Sequence, residues 1–291
     1  MEQKYENYFV PEQSQWPIIG AVAMFFIAVG AGLTVMQIDS TASSGSYILY
    51  GGIGILIYML FGWFKHVIEE SQKGLYSAQM DRSFRQGMSW FIFSEVMFFL
   101  AFFGALFYAR VLSVPWLGGA SNNAMTYEVL WPNFEAVWPL LTTPGGDTTN
   151  AMGWQGLPLI NTIILLTSSV TMHFAHVAME RDERLKLKMF LSLTVLLGVV
   201  FLGLQVEEYR HAYNDLNLTL QSGLYGNTFY LLTGFHGMHV TLGTLMLLIV
   251  LLRIFKGHLD SKQHFAFQAA AWYWHFVDVV WLCLFVFVYV L

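Results

Sequence analysis

Seven uninterrupted apolar stretches constrain this chain more than any other feature. They run over residues 18–38, 47–64, 88–109, 157–179, 189–206, 227–252 and 269–290, with lengths of 21, 18, 22, 23, 18, 26 and 22 residues. Each is close to the ~20 residues that carry an α-helix across a ~30 Å hydrocarbon core. Lipid offers no partner to backbone N–H and C=O groups, so such a stretch crosses as a helix, which pairs its own. Charge is correspondingly scarce: 11% of the 291 residues are charged and 56% are hydrophobic. Soluble domains carry about 25% charged residues, so a water-soluble enzyme is nearly excluded. The expected fold is an all-α polytopic membrane protein with seven transmembrane helices.

The few charges are unevenly placed. Of 33 charged residues, only Glu95 and Asp278 fall inside the stretches. If the N-terminus lies inside, the inner segments hold Lys4, Lys65, Lys73, Arg82, Arg85, Arg181, Arg184, Lys186, Lys188, Arg253, Lys256 and Lys262, and the outer segments only Arg110 and Arg210. Twelve cations against two predict a cytoplasmic N-terminus and an external C-terminus. Trp16, Trp63, Trp90 and Trp272 sit near span ends, where amphipathic rings settle at the headgroup level. The longest connection, 110–156, is rich in Gly, Pro, Trp and Asn and reads as an irregular external loop. The segment before the first span, MEQKYENYFVPEQSQWP, is acidic rather than basic, so that span is expected to remain in the mature chain rather than act as a cleaved signal. Net charge is −5 with no long basic run, which argues against nucleic acid.

An ionisable residue inside a span is a functional candidate by default, because its charged form is costly in hydrocarbon. Glu95 lies in FIFSEVMFFLAFF, eight residues beyond Gly87 at the expected inner end of its span. That is roughly 12 Å deep at 1.5 Å per residue. Its readings are a proton-handling or lipid-ordering carboxyl, or a hydrogen-bonded packing group. Asp278 follows His275 by three residues, so the two share a helix face. His173 with His176, and His236 with His239, repeat that spacing.

Five embedded histidines invite a metal or haem reading. Against it, no His-Glu-x-x-His motif occurs, and the acids inside the spans do not form the Glu-x-x-His pairs of a di-iron bundle. The two histidine pairs also differ in depth by roughly 16 Å. Helix–helix hydrogen bonding is the expected role of these side chains, with no metal site. Cys283 is the single cysteine, which leaves no internal disulfide, Cys-x-x-Cys-His haem attachment or two-cysteine copper centre. The last span has no lysine for a retinal Schiff base, and no nucleophile elbow or phosphate loop is present.

The strings SWFIFSEVMFFLAFFGALFY (89–108), LPLINTIILLTSS (157–169), TFYLLTGFHGMHVTLGT (228–244) and HFAFQAAAWYWHFVDVVWL (264–282) closely resemble subunit III of the haem–copper cytochrome c oxidases. The resemblance covers nearly the whole chain, in order. GLYSAQMDRSFRQGMSW (74–90) looks like the bacterial aa3 branch. The resemblance implies an accessory subunit without a redox centre, bound to subunit I in a complex with subunit II. Haem a and copper sit in those partners, and cytochrome c is the donor to the complex. It implies a two-helix bundle (18–64) and a five-helix bundle (88–290) around a V-shaped cleft that holds phospholipids, in a bacterial cytoplasmic membrane. It implies support of proton uptake and protection against inactivation during turnover. The family's carbodiimide-reactive glutamate matches Glu95. Its lipid-cleft motif matches Trp63, Phe64 and Glu70 in WFKHVIEE.

This chain departs from the mitochondrial pattern at Phe64, which replaces a second tryptophan, and at Glu69, which replaces a headgroup arginine. Gly74-Leu75-Tyr76-Ser77-Ala78 replaces a Gly-His-His-Thr-Pro stretch, and Gln268 replaces a glutamate. Lys65 or Arg85 is expected to supply the missing positive charge. Two other readings stand beside the resemblance. A stand-alone ion or solute transporter would show discontinuous helices and internal repeats. A membrane metalloenzyme would gather its histidines at one depth.

Overall fold

The computed structural model describes residues 9–10, 13–38, 43–261 and 264–291; Lys4 and Lys262 of the inner cation set lie outside them. Among these residues the secondary structure is helical, with one isolated bridge between Thr142 and Thr148 and no strand. The helices are α1 (Trp16–Met36), α2 (Ser44–Gln72), α3 (Ala78–Tyr108), α4 (Val114–Leu117), α5 (Ala124–Leu130), α6 (Leu157–Glu180), α7 (Arg184–Asn214), α8 (Gly223–Phe255) and α9 (Phe265–Leu284). Seven of the helical segments are long and apolar enough to cross a membrane, which agrees with the expected number of spans. Proline opens α1 and α6, where its missing N–H leaves no hydrogen bond unmade.

The helices outrun the apolar stretches. The third begins at Ala78 rather than 88, the fifth spans Arg184–Asn214 rather than 189–206, and the second continues to Gln72. Hydropathy marks the hydrocarbon crossing, whereas a helix keeps its backbone paired wherever it extends into the interface. The 110–156 connection is also less irregular than expected. A π-helical turn (Ala109–Ser113), α4, a 3-10 turn (Ser121–Asn123) and α5 follow α3 before the chain turns irregular.

The chain divides into two compact units, Met1–Phe84 and Arg85–Leu291. In the first, α1 and α2 pack along their length. Their glycines allow the backbones to approach: a Cβ on Gly30 would overlap the Leu49 main chain, and one on Gly62 the Trp16 indole. The Trp16 indole N–H donates to His66 Nδ1 at 3.0 Å, tying the start of α1 to α2.

In the second unit, α6 packs on α7, α7 on α8, α8 on α9, and α9 back on α6. Trp274 and Trp281, two helical turns apart on α9, are completely buried. Their indole N–H groups donate to Ser168 and Thr162 of α6, each at 3.0 Å. Thr171 and Thr194 join α6 to α7 at 2.7 Å. Hydroxyls serve here because no apolar driving force separates a helix neighbour from a lipid tail, so packing and interhelical hydrogen bonds hold the bundle.

Candidate functional site

Glu95 meets His239 inside the second unit. Its Oε2 lies 2.8 Å from His239 Nε2, linking α3 to α8. The other ring nitrogen, Nδ1, lies 2.6 Å from the Phe235 carbonyl oxygen. A carbonyl can only accept, so Nδ1 carries a proton and faces outward from the carboxyl. The Glu95–His239 contact then holds one further proton, either as a carboxylic acid donating to Nε2 or as an imidazolium donating to a carboxylate. Both forms leave the pair neutral overall.

Aromatic rings enclose the pair. The Phe99 ring stands 4.9 Å from the His239 ring in an edge contact, Phe98 lies 5.8 Å away, and Tyr273 stacks at 6.3 Å. The His239 side chain is 5% exposed and that of Glu95 is 22% exposed. The carboxyl thus sits at the edge of the packed interior, with a proton partner on its inner side.

Counted along the helices, Glu95 is seventeen residues from the start of α3 and His239 sixteen from the end of α8. Counted from Gly87, Glu95 is only eight residues in, so the match in level rests on the helix start at Ala78.

The remaining histidines differ in environment. His236 is wholly buried, between the rings of Phe201 (5.8 Å) and Trp281 (5.1 Å), and no group among the described residues pairs with either of its nitrogens, so the hydrogen-bonding role expected of it is not seen among them. His275 Nδ1 lies 2.8 Å from the Ser169 hydroxyl and 3.9 Å from Asp278 Oδ2. The expected His275–Asp278 pair is brought together, but at an ionic rather than hydrogen-bonding distance. His176 Nε2 lies 3.7 Å from Glu180 Oε1, and its ring edge packs on Phe267. His173 is exposed, with its ring against the neighbouring Phe174. No group of three or more His, Cys, Asp or Glu that could hold a metal ion occurs among the described residues.

In the first unit, Trp63 and Phe64 are exposed near one end of α2, their rings stacked at 5.6 Å. Glu70 Oε2 accepts a hydrogen bond of 2.7 Å from the Tyr76 hydroxyl. Burial, that hydrogen bond and the Glu70 charge all hold the Tyr76 phenol well above its ordinary pKa, so it stays a donor. The departure at Tyr76 thus supplies Glu70 with a neutral hydrogen-bond donor. The two cations expected to compensate for Glu69 are both engaged: Lys65 lies 3.9 Å from Glu69 itself, and Arg85 donates to Gln268 and covers the Phe265 ring.

Sequence reading missed Glu208, which lies just past the apolar stretch 189–206. It is completely buried and accepts a hydrogen bond from the Tyr289 hydroxyl at 2.5 Å. The available signal was helical periodicity: Phe201, Gln205, Glu208 and Ala212 recur on one buried face of α7.

A family model described as cytochrome c oxidase subunit III matches residues 6–291. The chain is 37% identical over 290 residues to cytochrome c oxidase subunit 3 of Squalus acanthias, covering 99% of this chain and 98% of that one. It is 39% identical over 290 residues to the Marchantia polymorpha protein of the same name, covering 99% and 97%. The corresponding figures for Prototheca wickerhamii are 38% over 283 residues, 97% and 96%. With seven apolar helices, a match from end to end and relatives at this identity, the chain belongs to the cytochrome c oxidase subunit III family.

Proposed function

We propose that this chain is the accessory, non-redox third subunit of an aa3-type oxidase, and that its Glu95–His239 pair supports proton supply to the catalytic partner. The coarser statement follows from the family: the chain is one subunit of cytochrome c oxidase, an oxidoreductase complex of the respiratory chain. The finer reading assigns contact with subunit I, membership beside subunit II, cytochrome c as donor, and haem a and copper to those partners. The embedded histidines support this division of labour, since His236 is enclosed by aromatic rings and His239 is committed to Glu95 and Phe235.

The carrying observation is the 2.8 Å contact between Glu95 and His239. A carboxyl that shares a proton with an imidazole, at the edge of an aromatic enclosure, can buffer a proton that arrives or leaves singly. Phospholipid held near Trp63, Phe64 and Glu70 is the second part of the reading. It is supported by the exposed stacked rings and by a carboxyl already satisfied by Tyr76. The two-helix and five-helix arrangement around a lipid cleft belongs to the same proposal. So does a cytoplasmic N-terminus in a bacterial cytoplasmic membrane, which the twelve-to-two cation distribution supports.

The test is Glu95→Gln in the assembled complex. The amide keeps a donor toward His239 Nε2, so assembly is expected to persist while the exchangeable carboxyl proton is lost. Proton uptake at alkaline pH is expected to slow, and activity to decline after fewer turnovers. Unchanged uptake kinetics together with an unchanged turnover lifetime would overturn the proton-supply role.

A further inference from the structure

The end of the second unit where α6 begins and α7 ends contains a buried polar layer independent of the Glu95–His239 pair. Its centre is Trp281, whose ring stands 4.9 Å from Phe201, 5.1 Å from His236 and 6.0 Å from Tyr289. Tyr289, on the π-helical turn Phe285–Val290 that continues α9, reaches Glu208. Gln205 lies one turn from both Phe201 and Glu208 on the same face of α7. It approaches the Glu208 carboxyl without forming a well-made hydrogen bond. Asn161 lies ten residues before Thr171 on α6 and Gln205 eleven after Thr194 on α7, so the Thr171–Thr194 contact puts the two at about one level of adjoining helices.

Asn161, Gln205, Glu208 and His236 are each at most 5% exposed. Both amide atoms of Asn161, both of Gln205, both ring nitrogens of His236 and Oε2 of Glu208 pair with no group among the described residues. Seven such atoms on the buried faces of α6, α7 and α8 need partners, because buried polar groups are as a rule hydrogen-bonded to protein or water. Their chemistry selects the occupant. The two amides each present donor and acceptor, a neutral imidazole presents one of each, and Glu208 Oε2 accepts. An anion would need donors throughout, a cation would need acceptors throughout, and an apolar ligand would leave all of them unmet. Water, which both donates and accepts twice, fits the mixture.

We propose that this layer binds a cluster of ordered internal waters, anchored on the Glu208 carboxyl and bridging α6, α7 and α8. At about three hydrogen bonds per buried water, seven atoms call for two or three molecules. The Glu208–Tyr289 bond holds the anchor in place, and the π-helical turn carries the tyrosine that makes it.

The experiment is a structure of the assembled oxidase at a resolution that resolves water, for the natural chain and for Glu208→Gln and Glu208→Leu. In the natural chain, discrete peaks are expected within hydrogen-bonding distance of Glu208 Oε2, the Gln205 amide and a His236 nitrogen. They are expected to persist in Glu208→Gln, which keeps a polar atom toward them, and to be lost from around position 208 in Glu208→Leu. A dry layer in the natural chain, with the amides turned onto one another or onto Glu208, overturns the proposal; so does density for an ion or a lipid tail. An unaltered cluster in Glu208→Leu overturns the anchoring role. Should that variant not assemble, the natural and Glu208→Gln maps still decide between a wet and a dry layer.

Discussion

Glu95 Oε2 and His239 Nε2 stand 2.8 Å apart and join α3 to α8 through one shared proton. Because Nδ1 of the same ring is committed to the Phe235 carbonyl, the imidazole cannot turn its other face to the carboxyl without losing that bond. The partnership is therefore directional, and variants of Glu95 separate its structural and protonic contributions.

Glu95→Leu is expected to leave His239 Nε2 without a partner in a water-poor setting, at a cost of about 1 kcal/mol, the scale of hydrogen bonds between membrane helices. Glu95→Gln is expected to stay within a few tenths of a kcal/mol of the natural chain, since its amide can donate to Nε2. Thermal release of the subunit from the purified complex measures the difference. Equal release temperatures for the leucine and glutamine variants would show that the contact contributes nothing to stability.

Tyr76 gives a pH-dependent prediction outside the spans. Its phenol is held above the ordinary tyrosine value by burial and by Glu70. A raised folded pKa means that the folded chain keeps a proton the unfolded chain gives up. The contribution is thus fully present below the unperturbed value, about 10, and declines as pH rises beyond it. Tyr76→Phe should remove that alkaline loss and free Glu70, loosening the Leu75 N–H bond to the Glu70 carbonyl. Faster amide exchange at Leu75 near neutral pH checks the second effect, and the unfolding midpoints of the natural chain and the variant compared above pH 10 check the first.

The helical class and the number of crossings were legible because lipid permits few alternatives to a helix over twenty apolar residues. What stayed hidden came from the interface, where helices continue through charged sequence. Hydropathy placed the start of the third span at 88, whereas the helix begins at Ala78, and nothing in the local sequence of either residue links Glu95 to His239. Glu208 was passed over for the same reason: two residues beyond an apolar run, it looked solvated, yet it lies on the buried face with Phe201 and Gln205. The segment after Tyr108 read as loop because Gly, Pro and Asn punctuate it, although short helices form between them. Hydrogen-bond partners between helices remote in sequence, such as Trp281 with Thr162, carry no local signature at all.

The α1–α2 pairing depends on backbone proximity at specific glycines, and this separates two superficially similar substitutions. A Cβ at Gly52 would stand 2.7 Å from the Ile27 backbone nitrogen, whereas one at Gly54 meets nothing within 4 Å. Gly52→Val is therefore expected to push the helices apart and destabilise the subunit by about 1–3 kcal/mol, the usual range for overpacking. Gly54→Ala should be neutral or slightly stabilising, since alanine costs less backbone entropy in a helix. The thermal unfolding midpoints of the two variants give the comparison, and equal midpoints would contradict the close approach.

The bond from Trp274 to Ser168 should be energetically coupled, because the indole that makes it also fills the space between α7 and α8. A Cβ on Gly198 would lie 2.8 Å from the Trp274 ring, and one on Gly243 3.0 Å from it. Trp274→Phe removes both the N–H donor and part of this packing, whereas Ser168→Ala removes only the acceptor. Ser168 also donates its own hydroxyl proton to the Leu165 carbonyl, a bond within α6 that survives Trp274→Phe. The single tryptophan variant should accordingly cost more than the serine variant. The double variant should be less destabilised than their sum by about 0.6 kcal/mol, the mean for hydrogen bonds inside a membrane protein. Unfolding free energies of the four proteins, measured in one lipid or detergent system, give the coupling directly. Strict additivity would mean that Trp274 holds α9 to its neighbours by packing alone.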